Sequence, residues 1–292
     1  MTLGFLLGKK NPKLSEYIAK PLIRYGIPLS VMGLLLKEGI DTDLIKSALL
    51  AFSIIGTLIT LINLLPVLKK KLPSYTLQLA GLIGNTSFLG IPIAIAILPS
   101  KTINFTIGFD LGTTLFAWIF GPLFLKRGLS SKNIPNIKNL LNALLNSPAS
   151  RGIIGVFLAY LLNLDDSLGK YLWIPARIVI ILAIIVVGTR LGIITTQKNQ
   201  ILDLNEGIKY SILLKLFVLP MTIYFISKIL NFDINQTLAV VLQAGTPTAI
   251  STILMAEAYQ MNQQIAAKIL FTTTFISLLT IPFLTYLFKS IY

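Results

Sequence analysis

Apolar stretches long enough to cross a bilayer recur along nearly the whole chain, separated by short polar segments. Crossing a hydrocarbon core of about 30 Å takes about 20 predominantly apolar residues. Only 12% of the 292 residues are charged, whereas a soluble domain averages about 25%. A soluble chain with so little charge would expose large apolar patches and aggregate. The sequence therefore predicts an all-α polytopic protein that lies in a lipid bilayer.

Nine full spans follow a short apolar stub at Met1–Gly8. Connections between the spans are short, except for a basic segment near the middle of the chain. The predicted spans are Ile18–Leu36, Leu44–Leu64, Leu77–Leu98, Ile103–Leu125, Pro148–Leu164, Trp173–Leu191, Ile208–Leu230, Thr237–Ala258 and Ile265–Phe288.

Basic residues are distributed unevenly between alternate loops. One set of loops carries clusters of Lys and Arg at Lys9–Lys20, Lys69–Lys71, Lys126–Lys138 and Arg190–Lys209. In the other set, acids balance the basic residues. The positive-inside rule predicts that the first set is cytoplasmic and that the C-terminus lies outside the plasma (cell inner) membrane. The same bias explains the net charge of +14, so we expect no nucleic-acid partner.

The chain contains no Cys and no His. This excludes disulfides, thiolate and His-based metal sites, and a Ser-His-Asp triad. No phosphate-binding loop of the G-x-x-x-x-G-K-[ST] type is present, which argues against a nucleotide-driven pump. We therefore expect no enzyme activity, no cofactor and no metal centre, although composition alone leaves an Asp/Ser site open.

Weak internal similarity relates the two halves of the chain. IGNTSF, from Ile83, lies opposite AGTPTA, from Ala244. Secondary transporters are often built from such repeats, and two tandem copies of a five-span unit have opposite topologies because five is odd. We predict two inverted five-helix repeats, at 1–125 and 148–292, joined by a basic cytoplasmic loop at 126–147.

The first repeat contains only the tail of its first helix, which is the stub at Met1–Gly8. Either the start codon lies downstream of the true one or the protein has nine spans. We favour a missing segment, which mass spectrometry of natively expressed protein would test.

Two of the predicted spans are interrupted near their centres. GNTSFLGIP, Gly84–Pro92, breaks the first, and QAGTPTAIS, Gln243–Ser251, breaks the second. Proline cannot donate a backbone hydrogen bond, and glycine permits non-helical dihedral angles. Freed backbone groups are tolerated at membrane depth only inside protein or against a watery cavity. Paired interruptions in corresponding positions are typical of a transporter's binding site.

Such breaks provide groups that bind ions. A half-helix N-terminus attracts an anion such as a carboxylate, while half-helix C-termini and freed carbonyls attract a cation. The alternative is that Gly and Pro are simply common in membrane helices and that Ser and Thr bond their own backbone. The candidate substrate-binding residues are Asn85, Thr86, Ser87, Gly90, Pro92, Gly245, Thr246, Pro247 and Thr248.

Few ionisable residues fall inside the predicted spans. Asp110 lies about seven residues into its span, roughly 10 Å deep at 1.5 Å per residue. It is a candidate for proton or sodium coupling, and the alternative is a solvated carboxylate in an outer vestibule. Lys215 is deeper, but its long stem can still reach the interface. Thr114 and Thr274 are candidate site-lining residues, although packing between helices is their first interpretation.

The first interruption also resembles a family signature. Asn85–Pro92, NTSFLGIP, is similar to the N-T-G-F-x-G-I-P signature of the auxin efflux carrier family. TPTAISTILMAEAYQMN, Thr246–Asn262, resembles a second segment of that family, P-x-x-x-x-x-x-x-A-x-x-Y. Ser87 stands where the family usually has Gly, and Thr246 where many relatives have an apolar residue.

This resemblance implies a ten-helix fold with two crossing discontinuous helices, similar to the bile-acid sodium symporters. It also implies that both termini lie outside and that the substrate is an organic anion. We predict a secondary active efflux carrier of a small carboxylate or auxin-like compound, working by alternating access. The alternatives are a sodium-coupled symporter of the bile-acid type and a channel or non-transporting scaffold. A homodimer is a further open expectation.

Overall fold

A computed structural model describes residues 2–11, 17, 21–125, 145, 148–196, 204–258 and 261–290, and these contain helices and no strand. The predicted loop 126–147 lies outside the described residues except for Leu145. The helices are α1 Thr2–Lys10, α2 Ile27–Glu38, α3 Thr42–Leu64, α4 Pro66–Lys71, α5 Tyr75–Leu82, α6 Ile91–Ile97, α7 Ile103–Leu125, α8 Pro148–Leu161, α9 Asp165–Thr196, α10 Glu206–Leu213, α11 Leu219–Ile229, α12 Ile234–Ala244, α13 Ser251–Ala258 and α14 Gln263–Ser290.

The helices follow the predicted spans, with shifted ends. Three described helices are long and apolar enough to cross a bilayer without interruption, at Thr42–Leu64, Glu206–Ile229 and Gln263–Leu287. The span predicted at Pro148–Leu164 ends at Leu161, and the one predicted at Trp173–Leu191 is the middle of the longer α9. Hydropathy locates only the apolar part of a helix, whereas α9 continues into polar residues at both ends.

A wide π-helical turn precedes three of the prolines. The turns Leu22–Gly26, Thr86–Gly90 and Leu214–Val218 each end two residues before a proline, at Pro28, Pro92 and Pro220. Because proline has no N–H and its ring crowds the carbonyl four residues earlier, the preceding turn widens. In the last case the helix stays continuous, so α10 and α11 form one rod, Glu206–Ile229.

Closely packed glycines join the helices in two places. In α1, a Cβ at Gly4 or Gly8 would lie within 2.0 Å of a carbonyl oxygen of α9. In α7, a Cβ at Gly108 or Gly112 would lie 2.1 Å from a carbonyl oxygen of α3. Both pairs follow the small-xxx-small spacing of tight membrane-helix contacts. The second pair flanks Asp110, so it fixes that residue's depth and direction.

The two interrupted helices enter the molecule from opposite ends. The start of α5 lies beside the start of α10, where Ser211 Oγ donates to the Leu77 carbonyl at 2.8 Å. The start of α12 follows the other end of the same rod. There the Gln236 side chain donates to Asp43 at 3.1 Å, which ties α12 to the start of α3. The interrupted segments therefore approach each other inside the molecule.

Candidate functional site

The two breaks pair through their backbones. The Asn85 N–H donates to the Pro247 carbonyl at 2.7 Å, and the Ala249 N–H donates to the Ile83 carbonyl at 3.0 Å. Gly84 and Thr248 form an antiparallel bridge between these bonds. Each break thus satisfies backbone groups that the other has freed, as buried backbone requires. The structure confirms that both segments interrupt their helices and brings them together. The inverted-repeat relation itself stays a prediction.

Glycines in the breaks permit close contact, which is not the reason expected from sequence. Gly90 has φ −64° and ψ −53°, so it does not use the non-helical dihedrals that glycine permits, and Gly245, with φ −78° and ψ 0°, leaves the helix in a conformation open to any residue. A Cβ at Gly84 would instead lie 2.5 Å from Thr246 Oγ1, and one at Gly90 would lie 2.0 Å from Gln243 Oε1. The crossing segments are too close for a side chain at either position.

A buried carboxylate lies at the first break. Thr86 Oγ1 and Ser87 Oγ both donate to Asp110 Oδ1, each at 2.5 Å. Asp110 is fully buried, and its Oδ2 has no hydrogen-bond partner among the described residues. The alternative of a solvated vestibule carboxylate is therefore wrong, because α7 turns this side chain toward the half-helix Thr86–Ile97. A negative charge at that N-terminus is electrostatically favourable.

Hydroxyl groups at the second break donate to carbonyl groups. Thr246 Oγ1 donates to the Gln243 carbonyl at 2.7 Å, and Thr248 Oγ1 donates to the Ala80 carbonyl at 2.6 Å. The Thr248 N–H donates to Thr273 Oγ1 at 3.1 Å. The two hydroxyl bonds satisfy carbonyls at the C-terminal ends of α5 and α12, where the interruptions remove intrahelical donors.

The candidate lining threonines differ in their positions. Thr274 donates to the Leu270 carbonyl of its own helix at 2.6 Å, whereas its neighbour Thr273 contacts the second break. Thr114 is half-buried on α7, one turn beyond Asp110. Sequence spacing did not distinguish the two adjacent threonines on α14, since that depends on how the helix is rotated.

Asn85 is the candidate whose polar side chain has no hydrogen bond within the described chain. It is half-buried, and its amide makes no hydrogen bond among the described residues. Pro92 is buried in the first turn of α6, and Pro247 contributes its carbonyl to the pairing. Gln243 was not singled out from the sequence. Its side chain is fully buried, and neither of its amide atoms has a partner in the described part of the chain.

Lys215 also reaches the crossover. It lies in the π-helical turn of the α10–α11 rod with 1% of its surface exposed. Its Nζ donates to the Ala244 carbonyl, the last residue of α12, at 2.5 Å. The expectation that its stem reaches the interface was wrong, because the rod packs directly against the crossing helices. Depth along a helix did not reveal that orientation.

Among the described residues, no group of three or more His, Cys, Asp or Glu side chains could hold a metal ion.

A lateral groove of about 450 Å³ lies on α3 and α7. None of its lining residues belongs to either break. They are Phe52, Ser53, Gly56, Thr57, Thr60, Leu61 and Phe116.

Many apolar helices indicate an integral membrane protein, and two broken helices that meet inside the molecule are a feature of secondary transporters. The model of the membrane transport protein family matches residues 1–285. The chain belongs to this family, the auxin efflux carriers, which confirms the resemblance of the NTSFLGIP motif.

The chain is also similar to a protein of Methanocaldococcus jannaschii named uncharacterized transporter MJ1031. The two are 22% identical over 208 residues, which cover 70% of this chain and 65% of that protein. The match therefore spans just under two thirds of the relative's length. The description of the family and the printed name of the relative both concern membrane transport.

Proposed function

We propose that the protein is a secondary active carrier of a small organic anion that works by alternating access around the crossover. The observation that carries this proposal is the backbone pairing between the two breaks, at Asn85 with Pro247 and Ala249 with Ile83. Such a junction holds half-helix ends against one another at the centre of the molecule. Small movements of one proposed repeat against the other would then open the crossover to one side of the membrane and then to the other.

Asn85 is the proposed substrate-binding side chain. Its backbone N–H is engaged with Pro247, but its amide is free to donate to a carboxylate. Thr86 and Ser87 have a different role in this proposal, because their hydroxyl protons already bond Asp110. The backbone N–H groups that begin the half-helix Thr86–Ile97 supply further donors for an anion.

Asp110 is the proposed coupling residue. Two hydroxyl groups hold Oδ1, while Oδ2 has no protein donor within the described residues. A proton or a sodium ion on Oδ2 would compensate the buried charge, since an isolated buried carboxylate is costly. Proton coupling supports an efflux carrier, and sodium coupling supports the alternative symporter of the bile-acid type.

The orientation proposal rests on charge. Lys69, Lys70 and Lys71 on α4 lie at the same end as the start of α10, where Lys71 Nζ is 4.6 Å from the Tyr210 ring centroid. Asp41 and Asp43 lie at the opposite end, at the start of α3. We place the α4 end in the cytoplasm of the cell, at the plasma membrane, which puts the C-terminus outside. Two inverted repeats, at 1–125 and 148–292, and a homodimeric assembly belong to the same proposal.

Counterflow in proteoliposomes tests the function. The purified protein is reconstituted with indole-3-acetate, malate or malonate inside, and uptake of the labelled compound is followed with and without a sodium or pH gradient. Saturable exchange of at least one anion is expected, with a higher KM in Asn85→Ala. Equal flux in protein-free vesicles, or an unsaturable ion conductance, would replace the carrier with a scaffold or a channel.

A further inference from the structure

Lys215 places a cation at the end of a half-helix. The side chain is almost fully buried, and its Nζ lies 2.5 Å from the carbonyl of Ala244, where α12 stops. The carbonyls at such an end have lost their intrahelical donors and carry the negative end of the helix dipole. An ammonium group there satisfies an acceptor and offsets the dipole at once.

The same ammonium group also lies against the first break. The position that a Gly84 Cβ would occupy is 2.9 Å from Lys215 Nζ and 2.5 Å from Thr246 Oγ1. The cation is thus close to one residue from each interrupted segment. Among the described residues, no carboxylate oxygen lies within 4 Å of Nζ. A charge on Nζ is therefore offset by the backbone dipole at the end of α12, through the Ala244 carbonyl.

Freed carbonyls at half-helix ends are the groups with which transporters hold a dissociable cation. We infer that the Lys215 ammonium is a tethered cation that fills this position at the end of α12, so that the second break needs no dissolved cation. Lys215 then acts as a positioning residue. It holds α12 against the first break and offsets a negative helix end that would otherwise repel an organic anion. The effect on transport rests on the proposed function, whereas the effect on stability does not.

Replacement of the side chain converts the tethered cation into an empty position that a small cation can enter. Lys215→Ala removes the stem and leaves room for methylammonium or sodium. Since a large cavity can prevent folding, Lys215→Met is the second variant, with similar volume and no charge. Lys209→Ala is the matched control, because Lys209 lies on the same rod and is exposed.

The experiment measures thermal unfolding of each purified variant in detergent. Methylammonium chloride replaces choline chloride at constant ionic strength, followed by sodium chloride in the same way. The expected result is a lower midpoint for both Lys215 variants in choline, and a saturable rise with methylammonium for Lys215→Ala that exceeds any rise in wild type or Lys209→Ala. In proteoliposomes, Lys215→Ala should lose transport at least tenfold and regain it with the same cation.

Three results would overturn the inference. One is a folded Lys215→Ala variant whose midpoint responds to cations no more than the wild-type midpoint does. Another is a Lys215→Met variant as stable and as active in choline as wild type. The third is lost transport that no small cation restores. If wild type transports no anion at all, the proposed function fails, but the thermal comparison still decides the role of Lys215.

Discussion

The two breaks look alike in sequence but have opposite electrostatics. At the first, α7 presents the carboxylate of Asp110 to the N-terminal side of a half-helix. At the second, the α10–α11 rod presents the ammonium of Lys215 to a half-helix C-terminus. Each charge complements the helix end that it faces. The difference is that the carboxylate keeps one oxygen without a protein donor in the described chain, while the ammonium contacts both breaks.

This comparison assigns different tasks to the two halves of the crossover. At the first break, Asp110 Oδ2 has no hydrogen-bond donor among the described residues and the Asn85 amide has no cap bond, so both can bind a ligand that dissociates. At the second break, both threonine hydroxyls and the lysine are bonded to carbonyls, and the Gln243 amide, which has no partner in the described part of the chain, faces Gly90 of the first break. We therefore expect substitution of Asn85 or Asp110 to change affinity or coupling, and substitution of Lys215 to lower stability.

The largest effect is expected at Asp110. Asp110→Ala leaves the Thr86 and Ser87 hydroxyls without their shared acceptor, at a cost of about 1–3 kcal/mol for each buried group left unsatisfied. Transport should fall about a hundredfold or more, by analogy with other truncated buried hydrogen-bonded charges. Asp110→Asn keeps an oxygen acceptor but cannot ionise, so it should fold and transport with a flat pH profile.

The control is Asp166→Asn, at an exposed acid in the first turn of α9. Initial rates of uptake are measured over a range of pH for all three variants. A wild-type pH profile in Asp110→Asn would show that this carboxylate does not couple transport to a proton. The first break would then have no coupling role that distinguishes it from the second.

The next largest effect is a difference in stability between alanine substitutions at Gly84 and at Gly245. In Gly84→Ala the new methyl group meets Thr246 and Lys215 across the crossover, so we expect about 1–3 kcal/mol of destabilisation from overpacking. In Gly245→Ala it meets the end of the Leu284 side chain at 2.9 Å, which can move, and the Val241 carbonyl oxygen at 3.3 Å, which needs only a small shift. Denaturation should therefore show a clear loss for the first variant and a small one for the second. Equal losses would mean that the crossover tolerates separation of its two segments.

Asn85→Ala should change affinity more than folding. The backbone bond from Asn85 to Pro247 does not need the side chain, so the crossover should remain intact. Loss of one hydrogen bond to a charged substrate is expected to raise KM about ten- to a hundredfold, since such bonds contribute about 1.5–3 kcal/mol. Asn235→Ala, a half-buried site at the start of α12, is the control. Unchanged kinetics in Asn85→Ala would be the strongest evidence against the proposed site.

The helix breaks and the family could be predicted because their signals are local. Gly84–Pro92 and Gln243–Ser251 carry the glycines and prolines that interrupt the helices, so neither prediction required knowledge of packing. Partners distant in sequence were not visible. Asp110 meets hydroxyls from residues 86 and 87, and Lys215 meets the carbonyl of residue 244, only after the helices have packed.

The direction of two charged side chains was not predictable from the sequence. Sequence position gave the depth of Asp110 and Lys215 along their helices but not the face on which each side chain lies. Both side chains point into the protein. The sequence had left a solvated vestibule open for Asp110 and the membrane interface open for Lys215. The glycines were misread for the same reason, because Gly90 needs space for Gln243 rather than an unusual dihedral angle.

The smallest expected effect is the difference in stability lost when one threonine hydroxyl is removed from each break. Thr86→Val removes a bond to the carboxylate of Asp110 and should cost about 2 kcal/mol, whereas Thr248→Val removes a bond to a neutral carbonyl and should cost about 1 kcal/mol. Thr222→Val, whose hydroxyl bonds its own helix at Val218, should cost least. Unfolding of the three variants in denaturant gives the order directly. A loss at Thr248 equal to that at Thr86 would mean that the buried carboxylate adds nothing to its bond, which would contradict the electrostatic difference between the breaks.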